Sequence, residues 1–256
     1  MNKLHFVFDN TKKSRKLKKL VLKKYKNFSM KSSDVIVVCG GDGFMLKTIK
    51  KHYRFKKPFY GINCGLVGFL MNKYVSENLK EKVNKAKPTF INPLQIKTIN
   101  TNNKTNSFFA INELSLFRQS KQTAFLKLKA NNQILINKLI GDGGLVSTPA
   151  GSTAYNLSVH GPILSLNSKK LAITPISPFR PRRWKGKVVS DKTKIYITNI
   201  DPKKRPIAAV TDNNETRNIK KIQVMINKKI KFKILFNLKE ILIKKIKLEQ
   251  KKKLIK

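Results

Sequence analysis

The feature that most constrains this chain is a short apolar run that ends in a glycine-rich turn. Residues 35–39 (Val-Ile-Val-Val-Cys) are too few for a helix and rich in β-branched side chains, which predicts a strand buried on both faces. Gly40, Gly41 and Gly43 follow, with Asp42 as the only acid among them. Glycine adopts backbone angles closed to other residues and lets backbone N–H groups approach a ligand, so this turn is a candidate phosphate site.

An aspartate in such a turn has two interpretations. Its charge would repel a phosphate, unless a metal intervenes or the carboxylate faces the attacking hydroxyl and accepts its proton. Alternatively, Asp42 is only a helix N-cap or turn residue. The turn alone leaves both interpretations open.

Composition limits the class of protein. A chain of 256 residues holds enough core for one large or two modest domains. Its formal charge of +43 is typical of proteins that bind nucleic acid or anionic membranes. The lysines are spread along the chain, however, and aromatic residues do not interleave with them as in a stacking platform for single strands. A basic nucleic-acid-binding protein is therefore the alternative from another class.

The cysteines and the N-terminus predict the compartment. Cys39 and Cys64 occur neither in a CxxC pattern nor at Cys/His ligand spacing, which predicts reduced thiols and no metal site built by the protein. No run approaches the roughly 18 apolar residues of a membrane helix. The N-terminus enters an alternating strand without a signal-like segment. We therefore expect a cytoplasmic protein without a membrane partner.

Strand and helix patterns alternate at the start of the chain. This alternation predicts an α/β domain over residues 1–92, with a parallel, Rossmann-like sheet flanked by helices. Ligands of such sheets bind beyond the carboxyl ends of the strands, where Asp42 and Asn63 fall. Strands are predicted at residues 4–8, 35–39 and 58–62, and helices at residues 11–28, 44–53 and 76–86.

A second glycine-containing loop follows the third predicted strand. Gly65 and Gly68 let residues 63–70 turn, and Leu66 and Phe69 offer apolar area that could cover a flat ring. Packing of Phe69 beneath its own loop is an equally good interpretation.

From residue 94 the pattern changes to short β-branched runs separated by Asn, Lys and Gly turns. These are hairpin signals, and they predict an all-β domain over residues 93–237. A helix within residues 238–256 is predicted to return and pack on the first domain. The predicted strands lie at residues 94–99, 108–117, 125–130 and 133–140, with later ones near 194–200 and 222–226.

Residues 141–155 (Gly-Asp-Gly-Gly-Leu-Val-Ser-Thr-Pro-Ala-Gly-Ser-Thr-Ala-Tyr) form the most unusual passage of the β-rich part. Small and hydroxyl residues dominate it, so backbone amides and hydroxyls are presented together. With Asp142 at its head and Tyr155 available for stacking, the passage suits a polar nucleoside ligand. The alternative is a loop that merely connects a strand to a helix.

Three motifs together resemble the motif set of the bacterial NAD kinases. They are Gly40-Gly-Asp-Gly43, Asn112-Glu113 and Gly151-Ser-Thr-Ala-Tyr155, in this order, and the match extends from the first strand to about Glu215. The first motif is shared with lipid and sphingoid kinase and phosphofructokinase relatives, so a lipid or sphingoid kinase is the alternative among kinases. The combination of all three motifs is specific.

The resemblance implies transfer of a phosphoryl group from ATP or polyphosphate to the 2′-hydroxyl of the adenosine ribose of NAD, giving NADP. It implies an α/β N-terminal domain with a Rossmann-like parallel sheet and a β-sandwich-like C-terminal domain. It also implies Mg²⁺ or another divalent cation that arrives with ATP, and assembly into a homodimer or homotetramer.

The resemblance also assigns site residues. Asp42 would accept the proton and Gly43 would lie beside the dinucleotide. Apart from the resemblance, phosphoryl transfer needs positive charge around the phosphates, and Lys47, one helical turn on, is a candidate to supply it. Asn112 and Glu113 would hold the adenosine half, and Asp142 the nicotinamide ribose. By the same resemblance the pocket would be lined by Thr153, Ala154, Tyr155, Asn156, Leu157 and Ser158, with a contact from Asn214. Leu66 and Phe69 are added to these candidates on their apolar character alone.

Two positions depart from the family pattern. Ile140 stands where many bacterial members carry an arginine, two positions before Asp142, which leaves open whether NAD alone or also NADH is accepted. Residues 211–214 (Thr-Asp-Asn-Asn) stand where an Asp-Gly-type turn is expected, and Asn214 is assigned on that basis.

Overall fold

The computed structural model describes residues 3–65, 68–74, 78–212 and 214–237. The chain divides into two units. The first unit contains the described residues up to Ile91 together with residues 231–237, and the second spans Asn92–Ile230. The predicted C-terminal helix lies outside the described residues.

The first unit is built on one five-stranded sheet, here called sheet I. Its strand order is β1 (Leu4–Phe8), β2 (Val35–Gly40), β3 (Phe59–Asn63), β17 (Phe232–Phe236) and β4 (Lys87–Ile91). The first four of these run parallel, which confirms the predicted Rossmann-like arrangement, while β4 pairs antiparallel with β17 and makes the sheet mixed.

The predicted end of the all-β domain at residue 237 is wrong. β17 pairs with β3 and β4, so residues 232–236 belong to sheet I. Buried Asn72 helps to hold this returning strand, because its Nδ2 donates to the carbonyls of Gly61 (3.1 Å) and Leu235 (3.0 Å) and its Oδ1 accepts from the Asn237 amide (2.9 Å). The mostly apolar residues 232–236 fit a strand in either unit, so only the pairing decides.

Within the described residues of the first unit, three α-helices accompany sheet I. They are α1 (Lys12–Lys24), α2 (Asp42–His52) and α3 (Leu79–Lys85), and each lies within or close to a predicted helix. α1 begins after Thr11, whose side chain accepts the Ser14 amide (3.3 Å), and it buries Leu17 and Val21. It ends at Lys24, before the predicted end at residue 28. No helix of the described residues is long and apolar enough to span a membrane.

The second unit consists of two antiparallel six-stranded sheets that share one core, which confirms the predicted β-sandwich-like architecture. Ile96 and Ile197 from one sheet and Leu116, Val146 and Ile173 from the other belong to this core. Sheet II contains, in order, β6 (Thr105–Ala110), β5 (Leu94–Asn100), β16 (Ile219–Ile226), β13 (Ile195–Asn199), β8 (Ala124–Ala130) and β9 (Gln133–Gly141). Sheet III contains β12 (Lys187–Ser190), β11 (Lys170–Ile176), β10 (Gly143–Ser147), β7 (Glu113–Arg118), β14 (Ile207–Thr211) and β15 (Asn214–Thr216).

Two predicted motifs lie where the chain passes from sheet II to sheet III. The run 108–117, predicted as one strand, breaks at Ile111 and Asn112, because β6 belongs to sheet II and β7 to sheet III. Asp142 likewise joins β9 to β10. The passage 141–155 is therefore not all loop: residues 143–147 form a strand whose residues are all buried. Burial on both faces removes the alternation by which a strand is recognised.

Candidate functional site

The glycine turn at the end of β2 opens directly into α2. Gly41 is the N-cap of this helix, with an ordinary extended conformation (φ −104°), and none of the turn's three glycines has a φ in the left-handed region. The expectation that unusual backbone angles require these glycines is therefore wrong. A Cβ added to Gly41 or Gly43 would meet no described atom within 4 Å, whereas one added to Gly40 would meet Phe44 at 2.7 Å. Gly41 and Gly43 thus leave the helix start accessible to a ligand.

Asp42 connects this turn to the second glycine-containing loop. It is the first residue of α2, and its carboxylate accepts the backbone N–H groups of Phe69 (2.8 Å, Oδ2) and Leu70 (3.0 Å, Oδ1). Because Gly41 occupies the N-cap position, the interpretation of Asp42 as a helix cap is wrong. The carboxylate instead holds residues 69–70 against the helix start.

The other predicted residues of the first unit lie around the same helix. Lys47 is exposed, four residues after exposed Gly43 and so on the same side of α2. Phe69 is partly buried. Leu66 lies outside the described residues.

In the second unit, the corner between β6 and β7 is held by side chains from two other segments. Asp212, in the turn between β14 and β15, accepts the amides of Ile111 (2.9 Å, Oδ2) and Asn112 (3.0 Å, Oδ1). From the other side, Thr148 donates through Oγ1 to the Ile111 carbonyl (2.7 Å) and through its amide to the Asn112 carbonyl (2.9 Å). The corner that carries Asn112 and Glu113 is therefore rigidly placed.

This corner presents two buried oxygens in need of a partner. Asn112 Oδ1 and Glu113 Oε2 are buried and have no hydrogen-bond partner among the described residues. Buried polar atoms are nearly always hydrogen-bonded, so two such neighbours indicate a ligand with hydrogen-bond donors. Burial, and to a lesser extent the nearby Asp212 carboxylate, raises the pKa of Glu113 to about 8.

An aromatic pair lies on the outer face of sheet III. Since Leu114 and Leu116 face the core, Glu113 and Phe117 point outward. Tyr155 packs over Phe117, with ring centroids 5.8 Å apart and planes inclined by 31°. Partial burial, followed by the charges of Asp142 and Glu113, raises the pKa of Tyr155.

The Gly151–Thr153 turn and the short helix α4 (Tyr155–Ser158) bring Tyr155 to this face. A Cβ at Gly151 would lie 2.2 Å from the Asn112 carbonyl oxygen, so only glycine permits this approach. Asn156 is buried, and its side chain bonds to the carbonyls of Ser152 (3.3 Å) and Pro162 (2.9 Å) and to the Thr174 hydroxyl (2.7 Å). Its side chain thus braces the segment. Thr153 is also buried, Ala154 and Leu157 are partly exposed, and Ser158 is exposed.

Asp142 lies at the other end of β7 and pairs with Arg118. The Arg118 Nε donates to Asp142 Oδ1 (2.5 Å), and both side chains are partly exposed, at 36% and 39%. Ile140, two residues earlier, exchanges backbone hydrogen bonds with Arg180 (2.8 and 3.1 Å). Asn214 is exposed at the start of β15, where it pairs with Thr211.

Comparison with known proteins decides the family. Residues 111–234 match the family described as the ATP-NAD kinase C-terminal domain. NAD kinases from Hyphomonas neptunium (42% identity over 214 residues, 84% of each chain) and Zymomonas mobilis (40% over 240 residues, 92% of each chain) are similar over most of their length. A third, from Xylella fastidiosa, is 39% identical over 235 residues, covering 92% of this chain and 90% of its own. The chain belongs to the NAD kinase family.

Two solved structures share the family fold. The yeast NADH kinase, determined in complex with NADH, superimposes with a TM-score of 0.75 at 22% identity, over 87% of this chain and 68% of that one. An NAD kinase from Archaeoglobus fulgidus, determined in complex with ATP, gives 0.76 at 23% identity, over 95% and 98%. The resemblance drawn from the motifs is confirmed, and the matches lend no support to a lipid kinase or a nucleic-acid-binding protein.

The structure shows contacts to the predicted site residues of the second unit that sequence reasoning missed. Asp212 anchors the Asn112-Glu113 corner, Arg118 pairs with Asp142, and Phe117 packs on Tyr155. Only Asp212 had a sequence signal, since it precedes Asn214 in a turn that was already noted. Within the described residues, no group of three or more His, Cys, Asp or Glu side chains is placed to hold a metal ion.

The raised pKa of Glu113 predicts a pH-dependent stability. The folded protein keeps this proton up to about pH 8, whereas the unfolded chain loses it near the ordinary value of 4.5, so folding stability falls as pH rises between these values. Glu113→Gln cannot ionise and escapes this loss. Its stability relative to the wild type should therefore increase by about 3 kcal/mol between about pH 5.5 and 8.

Denaturant unfolding at a series of pH values measures this difference. Glu215→Gln is the matched control, because Glu215 is an exposed glutamate paired with Arg217 (2.6 Å). Stability curves of wild type and Glu113→Gln that stay parallel over this range would contradict the prediction.

Proposed function

We propose that this protein is an NAD kinase that transfers a phosphoryl group from ATP, or from polyphosphate, to the 2′-hydroxyl of the adenosine ribose of NAD, giving NADP. The observation that carries the proposal is that Asn112 Oδ1 and Glu113 Oε2 are buried without a hydrogen-bond partner in the part of the chain that the structure describes. They lie at the start of the strand that carries Phe117, over which Tyr155 packs. Nucleosides offer both hydroxyl or amino donors and a flat ring. The NAD kinase names of the relatives, and the NADH and ATP complexes of the two similar structures, support the same substrates.

In the second unit, polar atoms at both ends of β7 suit a dinucleotide. Asn112 Oδ1 can accept a hydrogen bond from a ribose hydroxyl or an adenine amino group. Glu113, protonated below about pH 8, can both donate and accept. At the other end, Asp142, oriented by Arg118, offers a carboxylate to the second ribose. Ile140 provides no charge that would favour one redox form of the nicotinamide. Both NAD and NADH are therefore candidate acceptors, and the assay below includes both.

In the first unit, Asp42 is the proposed base. Phosphoryl transfer needs a positioned hydroxyl, a group that accepts its proton, and positive charge around the phosphates. Asp42 supplies the carboxylate, while the start of α2 and Lys47 supply N–H donors and positive charge. The phosphate donor is proposed to enter as its complex with Mg²⁺ or another divalent cation. This fits the single carboxylate at the helix start, because phosphate oxygens then provide the ligands that the protein does not.

A product assay tests the proposal directly. Purified protein is incubated with Mg²⁺ and either ATP or polyphosphate, with NAD or NADH as acceptor, and the 2′-phosphorylated dinucleotide is separated and quantified. We expect NADP from NAD with at least one donor, and no product when EDTA replaces the metal. Diacylglycerol and a sphingoid base serve as alternative acceptors. Phosphorylation of a lipid without any NADP or NADPH would overturn the proposal.

We further propose a cytoplasmic homodimer or homotetramer. Oligomerisation follows the resemblance to bacterial NAD kinases. The cytoplasmic location fits two buried, free cysteines, Cys39 and Cys64. Light scattering after gel filtration should give a molar mass of two or four times 29.3 kDa, and the mass of a single chain would contradict the proposed assembly. Tight binding to nucleic acid at physiological salt would revive the alternative drawn from charge.

A further inference from the structure

We propose that Asp212 is a positioning residue that aims Asn112 and Glu113 at the dinucleotide, an inference that rests on the proposed function. The residue contacts both of them through the backbone. Its carboxylate oxygens accept the amides of Ile111 (2.9 Å) and Asn112 (3.0 Å), and its own amide lies 3.4 Å from the Glu113 carbonyl.

The position of these bonds explains why a carboxylate is needed. Ile111 and Asn112 form the corner at which the chain leaves sheet II for sheet III, so strand pairing does not satisfy their amides. A carboxylate accepts two N–H groups at once, and charge-assisted hydrogen bonds are stronger than neutral ones. Asp212 therefore fixes the orientation of two successive peptide groups, and with it the directions of the next two side chains.

The atoms that Asp212 positions are the side-chain oxygens that need hydrogen bonds from a ligand. Asn112 Oδ1 and Glu113 Oε2 are buried, and no described residue gives either of them a hydrogen bond. A change of a few tens of degrees in either peptide plane would move these oxygens away from a bound hydroxyl, because hydrogen bonds weaken steeply with angle. Loss of the Asp212 carboxylate should thus weaken NAD binding although Asp212 itself need not touch NAD.

The charge of Asp212 adds a readout that a purely structural role would not give. The titratable groups that act on or near Glu113 are Asp212, from the turn after β14, and Tyr155, from α4, with Asp142 acting on Tyr155. Asp212 contributes to the raised pKa of Glu113 after burial. Removing its charge should move the pKa of Glu113 down, and the pH profile of kcat/KM for NAD should follow.

Two substitutions at Asp212 test the effect of the carboxylate without disturbing the backbone conformation of the turn. Asp212 has a φ of +52°, a left-handed conformation that asparagine and glycine tolerate. Asp212→Gly removes both acceptors, whereas Asp212→Asn keeps one oxygen and removes the charge. Asp201→Asn is the matched control, because Asp201 is another turn aspartate of this unit, whose carboxylate accepts the Lys204 amide (3.2 Å).

We expect Asp212→Gly to raise KM and Kd for NAD at least about tenfold, with kcat and KM for ATP changed less than about threefold. Asp212→Asn should show a smaller rise in KM and a kcat/KM profile shifted to lower pH. Asp201→Asn should change none of these. The inference is overturned if Asp212→Gly binds NAD like the wild type, or if Asp212→Asn weakens NAD and ATP equally without a shift of the profile.

Calorimetric titration with NAD keeps this test separate from the proposed function. A wild type that binds NAD but makes no NADP contradicts the proposed phosphoryl transfer, while the binding comparison between variants still decides the role of Asp212. A wild type that does not bind NAD overturns both. Should Asp212→Gly not fold, Asp212→Asn provides the same comparison through its affinity and pH profile.

Discussion

Asp42→Asn is expected to lower kcat by about 10³-fold while leaving Kd for NAD within about threefold of the wild type. The asparagine side chain has nearly the same shape but cannot accept a proton. It can also keep one of the two hydrogen bonds to the loop, since its remaining oxygen can accept from Phe69 or Leu70. Steady-state kinetics with saturating ATP, together with calorimetric titration of NAD, measure both quantities.

Asp34→Asn is the matched control for this experiment. Asp34 precedes β2 at the opposite end of the same strand, and its carboxylate also accepts a backbone amide, from Lys3 (2.7 Å). It should therefore report any general effect of removing one charge from sheet I. Near-normal turnover in Asp42→Asn would remove Asp42 from the mechanism. A fall in melting temperature with a parallel loss of NAD and ATP binding would show instead that Asp42 acts only by holding residues 69–70.

Gly151→Ala is expected to destabilise the second unit by about 4 kcal/mol or more and to abolish measurable NAD binding. The new Cβ would lie 2.2 Å from the Asn112 carbonyl oxygen and 2.7 Å from its Cα. Both are backbone atoms, held in place by the Thr148 and Asp212 hydrogen bonds, so they cannot move aside cheaply. The same clash would push the Tyr155 segment away from the Asn112-Glu113 corner. Urea unfolding and NAD titration measure the two effects.

Gly144→Ala is the control for the change from glycine to alanine. A Cβ at Gly144 would meet the Thr174 carbonyl oxygen at 3.4 Å and side-chain methyl groups of Leu126 and Leu139 at 4.0 Å, which are ordinary contacts. We expect its stability to change by less than about 1 kcal/mol. If Gly151→Ala were as stable and bound NAD as well as Gly144→Ala, the close approach of the two segments would not be required.

Features that depend on neighbouring residues were readable from the sequence. The buried strand, the glycine turn and the following helix occur in one continuous stretch, and the structure contains β2, the turn and α2 there. The motifs at Asn112-Glu113 and Gly151–Tyr155 were likewise recognisable, because the residues of each are consecutive. Their order along the chain was enough to indicate the family, which the comparisons confirm.

Features that depend on distant pairing were not readable. Asp212 is 100 residues from Asn112, and Arg118 is 24 residues from Asp142. The strand at residues 232–236 joins sheet I only because β3 and β4 leave a place between them. The strand at residues 143–147 lacks alternation since it is buried on both faces. None of these partners is implied by local propensity or spacing.

The sequence by itself determined which chemical groups are available and which short segments present them, because backbone preferences and side-chain types act locally. Tertiary structure alone decided which oxygens lack a partner, which carboxylate anchors a loop and which glycine cannot be replaced. The physical reason is that hydrogen bonding, burial and steric contact depend on atoms brought together from separate segments. The roles of Asp42, Glu113 and Gly151 in the measurements above follow from those contacts.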